Sequence, residues 1–127
     1  MSQVLWIGLA GAVGTLCRYF VGVWAGRALG TTFPYATLIV NVVGCFLIAL
    51  VFHLATTTSL VSSTTRVTLT TGFIGGLTTY SSFNYETTGL LRERAWAAGV
   101  LNIASTLVAC FVAGLLGLAV ARRIAGS

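Results

Sequence analysis

Two predicted helices carry polar side chains in stretches that are otherwise apolar. A polar group inside hydrocarbon is costly, so such residues are candidates for a functional site by default. Thr37 precedes Asn41 by one helical turn, so both project from one face. An amide offers two N–H donors to an anion without adding a charge that would trap it. Asn102 and Thr106, also one turn apart, form a second polar face, and the two faces predict a wet path for an anion. A plain helix–helix hydrogen bond is the alternative role of Asn41.

Three ionisable side chains fall within or beside predicted helices. Arg18 follows a run of small residues in the first helix. It either extends to the membrane interface, or caps a neighbouring helix, or draws anions into a water-filled vestibule. Glu86 either lines an aqueous mouth or pairs with Arg92. His53 is interpreted as an interfacial residue near the end of the second helix rather than as a proton relay.

Residues 70–83 combine three glycines with six serine or threonine hydroxyls. A glycine inside a helix costs about 1 kcal/mol relative to alanine, so the adjacent Gly75 and Gly76 predict a broken helix. Broken backbone at membrane depth persists only where it is buried in protein or lines water, and the freed carbonyls commonly coordinate cations. With no carboxylate nearby, such oxygens suit sodium better than a divalent ion.

Tyr80 and Phe83 follow this break and are three residues apart, so their rings share one helix face. An aromatic ring has a positive edge. Two edges turned inward would stabilise a small, partly dehydrated anion, whereas ordinary aromatic packing is the alternative. The neighbouring break favours the anion path.

The elements that must position these residues are membrane helices. Hydrophobic residues make up 57% of the 127 residues and charged residues only 7%, against about a quarter charged in a soluble domain. A bilayer crossing needs roughly 20 apolar residues, so the chain is predicted to be an all-α integral membrane protein with one domain, residues 1–127. Its start is interpreted as a retained first helix rather than a signal peptide. The four helices are expected at about residues 4–26, 35–55, 67–91 and 95–121.

Arginine supplies all seven cationic side chains. Four spans would place Arg66, Arg122 and Arg123 on one side of the membrane and Arg27, Arg92 and Arg94 on the other. Orientation follows the excess of Lys and Arg in cytoplasmic loops, so this balance predicts insertion both ways round. A chain made in two opposite orientations can form an antiparallel, dual-topology homodimer through an isologous interface.

Several other classes of protein are disfavoured. Cys17, Cys45 and Cys110 have no paired spacing and are interpreted as packing residues, not as disulfides or a zinc site. The arginines mark helix ends instead of clustering on one face as in a nucleic-acid binder. An enzyme is disfavoured because the sequence shows no catalytic dyad, metal cluster or phosphate loop. Two alternatives remain: a small dual-topology multidrug transporter, which needs an intramembrane carboxylate that the first helix lacks, and an assembly subunit, which needs no broken helix.

Three segments resemble the small bacterial fluoride channels of the Fluc/CrcB family, and the resemblance covers essentially all four spans. They are GAVG at residues 11–14 followed by Arg18 and Tyr19, residues 34–41, and the long, specific run TGFIGGLTTYSSF at residues 71–83. The resemblance implies a multi-pass channel that exports fluoride passively across the bacterial cytoplasmic (inner) membrane and so confers fluoride resistance. It also implies an antiparallel homodimer with two pores.

The resemblance assigns roles to individual residues. A structural sodium at the dimer centre would be held by the backbone carbonyls of Gly75 and Thr78 from each subunit. Tyr80 and Phe83 match the pore aromatics and Asn41 the pore amide. The candidate anion path further includes Asn102, Thr106, Thr37, Ser81 and Arg18.

This sequence departs from the family pattern at three of its positions. Tyr80 stands where phenylalanine is frequent, and its hydroxyl adds a donor or narrows the passage. Ala36 replaces a frequent glycine, and Asn102 is larger than the usual residue. The departures bear on pore dimensions and rate rather than on the kind of function.

Overall fold

The computed structural model of the chain describes residues 2–126, and every regular element in that range is a helix. This confirms the predicted all-helical fold class. The predicted domain includes Met1 and Ser127, which lie outside the described residues. The elements are α1 (Ser2–Ala28), α2 (Tyr35–Thr57), α3 (Ser63–Val67), a π-helix (Thr68–Ile74), α4 (Gly75–Leu77), α5 (Tyr80–Arg92) and α6 (Trp96–Ala125).

Three helices, α1, α2 and α6, are each long and apolar enough to cross a membrane. They correspond to the predicted segments 4–26, 35–55 and 95–121, but each continues further at its carboxyl end. Arginines in the last turns of α1 and α6 favour these later ends because positive charge complements the helix dipole there. α6 ends where Gly126 adopts a left-handed conformation with φ 74° and donates its N–H to the Arg122 carbonyl.

Large apolar side chains cover the outside of the long helices. Trp6 and Phe20 on α1 are 55% and 64% exposed, and Phe111 on α6 is 71% exposed. Extensive exposed apolar surface marks contact with a membrane or another protein rather than with water. The chain is therefore a membrane protein, as its composition predicts.

The predicted third span, residues 67–91, is a composite of several elements. It begins earlier, at Ser63, because the Ser62 hydroxyl caps α3 by accepting the Thr65 N–H at 3.1 Å. α3, the π-helix and α4 follow one another without interruption as far as Leu77. π-Helical segments are rare and frequently lie at functional sites. α5 then follows after a break.

The break in this span does not lie at the paired glycines, which corrects the sequence prediction. Gly75 has ordinary right-handed helical angles, φ −60° and ψ −37°. The chain is extended instead at Thr78, with ψ 157°, and at Thr79, with ψ 112°. Glycine lowers helix propensity, but the position of the break is decided by side chains that bind the Thr79 backbone and cap α5, described below.

Two close helix contacts determine how the elements pack. α2 packs against α6 in the most extensive contact of the fold, while α1 packs against the π-helix and α4. A Cβ atom on Gly117 of α6 would collide with the Phe46 carbonyl of α2, and one on Gly76 would collide with the Gly11 carbonyl of α1. Glycine at these two positions therefore allows the backbones to approach closely. Together the contacts hold the break of the third span between α1 and α2.

Candidate functional site

A groove of about 650 Å³ runs between α2, the break and α6. Several residues that are far apart in sequence meet in it, and they include five of the predicted site residues. Most of its other walls are apolar side chains, so a polar atom inside it has few competing partners. The residues that bear on function are Asn41, Thr78, Thr79, Tyr80, Phe83 and Thr106.

The Asn41 side chain forms two hydrogen bonds with the backbone of Thr79. Its Nδ2 donates to the Thr79 carbonyl at 3.0 Å, and its Oδ1 accepts the Thr79 N–H at 2.8 Å. The amide thus replaces a helical partner for both backbone groups and holds the chain extended there. This pairing uses one of the two N–H groups of the Asn41 amide.

Thr79 has a further role as the cap of α5. Its Oγ1 accepts the N–H of Ser82 at 3.1 Å and donates to the Ser82 hydroxyl at 3.0 Å. The hydroxyl of Ser81, a predicted site residue, lies 3.2 Å from Thr79 Oγ1. Ser81 is exposed and does not line the groove. The structure thus places Ser81 in the cap of α5.

The hydrogen bonds of Asn41 and Thr79 leave two carbonyls without their helical donors. In a continuous α-helix, the N–H of Thr79 would bind the Gly75 carbonyl and the N–H of Ser82 would bind the Thr78 carbonyl. Both N–H groups are instead taken by side-chain oxygens. Gly75 is also exposed on the surface of the chain. These are the two carbonyls that the family resemblance assigns to sodium.

Oxygen atoms of the backbone are the available cation ligands in this region. Among residues 2–126, no group of three or more His, Cys, Asp or Glu side chains is arranged to hold a metal ion. The Thr78 hydroxyl donates to the Ile74 carbonyl at 2.9 Å and keeps the lone pairs of its oxygen. Two freed carbonyls without a carboxylate fit a hard monovalent cation.

The two predicted pore aromatics are adjacent but differ strongly in burial. The ring centroids of Tyr80 and Phe83 lie 5.5 Å apart with an interplanar angle of 52°. Phe83 is only 8% exposed, whereas Tyr80 is 77% exposed. Phe83 is therefore held in place by its own chain, while most of the Tyr80 ring is available to whatever covers the groove.

The two polar residues of α6 have different environments. The Thr106 hydroxyl is buried, has no hydrogen-bond partner and lines the groove. Asn102 is 1% exposed and donates from Nδ2 to the Thr87 hydroxyl at 2.8 Å, which in turn donates to the Phe83 carbonyl at 2.6 Å. Asn102 therefore joins α6 to α5 behind Phe83 and does not line the groove.

A second cavity, of about 470 Å³, lies between the end of α1, the loop after it and α5. Glu86 lines it, together with Arg92 and Glu93. One oxygen of Glu86 accepts the Thr37 hydroxyl at 2.8 Å, and the other is buried without a partner. No ion pair joins Glu86 to Arg92 in the described part of the chain, although both line this cavity. Thr37 thus donates a hydrogen bond to a residue that lines this second cavity.

Arg18 stands apart from both cavities. It is half-buried on α1 and lines neither of them. Within residues 2–126 the side chain of Arg18 forms no hydrogen bond or ion pair.

Sequence reasoning missed two residues that organise the site. In the sequence Thr79 is one of six similar hydroxyls, although its backbone and side chain together define the break. Thr87 was not singled out, although it connects Asn102 to Phe83. The one sequence signal for Thr79 is its residue type, because threonine is a preferred helix N-cap.

Sequence comparisons identify the relatives of the chain. Residues 5–118 match the model of the family described as CrcB-like protein, Camphor Resistance (CrcB). The chain is 53% identical over 124 residues to the fluoride-specific ion channel FluC of Sorangium cellulosum, with 98% of each chain covered. It is 44% identical over 124 residues to the protein of the same name in Geotalea daltonii, covering 98% of this chain and 100% of the relative.

A third relative extends this range of bacteria. The fluoride-specific ion channel FluC of Acidobacterium capsulatum is 43% identical over 122 residues, covering 96% of this chain and 98% of the relative. The similarity therefore includes α1, α2, the broken span and α6 together, not one motif alone. On the match to its family model and on these near-full-length identities, the chain belongs to the CrcB-like protein family.

Proposed function

We propose that this chain is a fluoride-selective channel that lets fluoride leave the cell passively across the bacterial inner membrane and so confers fluoride resistance. The groove carries this proposal, because it places the buried, unpartnered Thr106 hydroxyl beside Asn41 and Phe83. The names of the relatives, fluoride-specific ion channels, supply the identity of the anion.

The path would replace the water of fluoride with neutral donors. The second N–H of Asn41 and the O–H of Thr106 each offer one hydrogen bond, and the edge of the Phe83 ring offers a weaker positive potential. None of the three carries a formal charge, so the anion is stabilised without being held tightly. Arg18 would raise the local concentration of anions at the entrance through its charge.

Other candidates take supporting parts in this proposal. Asn102 positions Phe83 through Thr87, and Ser81 belongs to the cap that begins α5. Thr37 orients Glu86 at the mouth of the second cavity.

The active assembly in this proposal is an antiparallel, dual-topology homodimer of four-span subunits. Its support is the open side of the groove, the exposure of the Tyr80 ring and the balanced arginines. A second copy laid across the groove would enclose the anion path and cover the exposed Gly75. The two-fold axis of such a dimer would lie in the membrane plane.

A structural sodium would be held at the dimer centre by the Gly75 and Thr78 carbonyls of both subunits. The support is that both carbonyls have lost their helical donors to side-chain oxygens. When bound, the ion would supply positive charge that stabilises these carbonyls at the interface. It belongs to the assembly and need not move with fluoride.

The alternative of a proton-coupled multidrug transporter has less support, and so does an enzyme. The two carboxylates of the chain, Glu86 and Glu93, both line the second cavity and neither lines the groove. A transporter of that kind needs a carboxylate where its substrate binds. The groove likewise has no histidine or carboxylate among its described lining residues to serve as a general base.

The deciding experiment is anion efflux from liposomes that contain the purified chain, with fluoride or chloride as the test anion. Fluoride release with little chloride release, in the absence of a proton gradient, is the expected result. Equal release of both anions would contradict selectivity. Release that requires an opposing proton gradient would favour the transporter instead. Empty liposomes are the control.

A further inference from the structure

Two of the three cysteines meet in the groove although they are far apart in sequence. Cys45 of α2 and Cys110 of α6 both line it. Both are free and half-buried. Cys17, on α1, is also free and half-buried but does not line the groove. The chain thus contains one thiol pair and one isolated thiol.

The thiol pair continues the two polar faces of the anion path. Cys45 lies one turn after Asn41 on α2, and Cys110 lies one turn after Thr106 on α6. The two helices are in contact there, since a Cβ atom on Gly114 would lie 3.8 Å from the Cys45 carbonyl oxygen. A ligand held by both sulfurs would therefore bridge α2 and α6 beside the anion path.

We infer that Cys45 and Cys110 form a binding site for a soft, thiophilic metal ion of the Hg²⁺ type, and that the bound ion blocks the groove. Thiolates select soft metals over hard ones, and Hg²⁺ prefers two sulfur ligands. One bond forms from the ion to each sulfur, and the two thiol protons pass to water. Two positive charges enter and two leave, so the complex is neutral.

Neutrality is what makes the site compatible with its surroundings. The nearby walls of the groove include Ile48, Leu107 and Phe111, which offer no counter-charge to an ion. A charged complex would be costly there, whereas a neutral bis-thiolate complex is not. The block of anion flux rests on the proposed function, but binding of the metal does not.

The test of binding is to titrate the purified channel with mercuric chloride and count the remaining free thiols. Each added Hg²⁺ should remove two of the three thiols of the wild-type chain. Cys17→Ser, the matched control, should lose both of its thiols to one ion. Cys45→Ser and Cys110→Ser should each lose only one thiol per ion. Loss of one thiol per ion in the wild type, or in Cys17→Ser, would overturn the site.

The same four proteins in liposomes test the block. Hg²⁺ should abolish most fluoride efflux in the wild type and in Cys17→Ser, and an added small dithiol should restore it. The two groove variants should keep most of their efflux. Full efflux from a wild-type channel whose thiols are bridged would overturn the block. Absence of efflux before any metal is added concerns the proposed function alone, and the thiol count still decides the site.

Discussion

At the scale of single residues, the hydroxyls of Thr106 and Thr87 form a matched pair. Thr106→Val should reduce fluoride efflux severalfold and change the free energy of unfolding by less than about 0.5 kcal/mol, because this hydroxyl bonds nothing in its own chain. Thr87→Val should instead destabilise the fold by about 1–3 kcal/mol, because it leaves the buried Asn102 amide unpaired. Efflux assays and denaturant unfolding check both. An unstable Thr106→Val would show that the hydroxyl has a structural role.

Asn41 is predicted to affect both stability and conduction. Asn41→Ala should cost about 1–3 kcal/mol for each Thr79 backbone group that it leaves without a partner. It should also lower fluoride efflux, because a donor is lost from the path. Asn41→Asp keeps the acceptor for the Thr79 N–H but loses the donor to the Thr79 carbonyl. The stability of this variant should therefore lie between that of the wild type and that of Asn41→Ala. Wild-type unfolding of Asn41→Ala would contradict the bridging role.

The aromatic Phe83 is expected to matter through its ring rather than its volume. Phe83→Ile keeps an apolar side chain in a nearly buried position but removes the positive ring edge. Fluoride efflux should therefore fall by about tenfold or more while the purified protein stays folded. Efflux at the wild-type rate would show that Phe83 contributes packing and not anion binding.

At the scale of elements, the broken span depends on two glycines in different ways. A Cβ atom on Gly76 would collide with α1 at the Gly11 carbonyl and lie 3.1 Å from the Thr15 nitrogen, whereas one on Gly75 would meet only the Thr70 carbonyl, at 3.6 Å. Gly76→Ala should therefore destabilise the subunit by about 1–3 kcal/mol through overpacking. Gly75→Ala should leave the subunit folded. It should weaken the proposed dimer and make dimerisation less dependent on sodium.

These glycine variants are measured by thermal unfolding and by size-exclusion chromatography in sodium and in choline buffers. If Gly76→Ala were as stable as the wild type and Gly75→Ala were unfolded, the roles given to these two glycines would be wrong. A Gly75→Ala variant that dimerises like the wild type in both buffers would contradict a sodium site at that carbonyl.

At the scale of the whole molecule, the balance of arginines predicts that the chain inserts in both orientations. Reporter domains fused to the carboxyl terminus should be detected on both sides of the membrane. Two or three lysines added to one terminus should shift the population to a single orientation and reduce efflux, since the antiparallel partner is then scarce. A single orientation of the unmodified chain would contradict the prediction.

Membrane class, the helices and the existence of a break follow from the sequence, because each depends on local composition. Apolar runs separated by polar loops identify long helices whatever their neighbours are. The all-helical class and the approximate positions of α1, α2 and α6 were predictable for this reason. The aromatic pair at Tyr80 and Phe83 and the polar residues of α2 and α6 could also be selected from spacing alone.

The tertiary structure alone decided where the break lies and which candidates face the groove. The break falls at Thr79 rather than at Gly75 because the amide of Asn41, 38 residues away, competes for the Thr79 backbone. Asn102 and Thr106 share a helix face, but only Thr106 lines the groove. Asn102 instead donates a hydrogen bond to Thr87, which is another contact between distant residues. A hydrogen bond between distant residues depends on how the helices pack, and the spacing of residue types along one helix does not determine that packing.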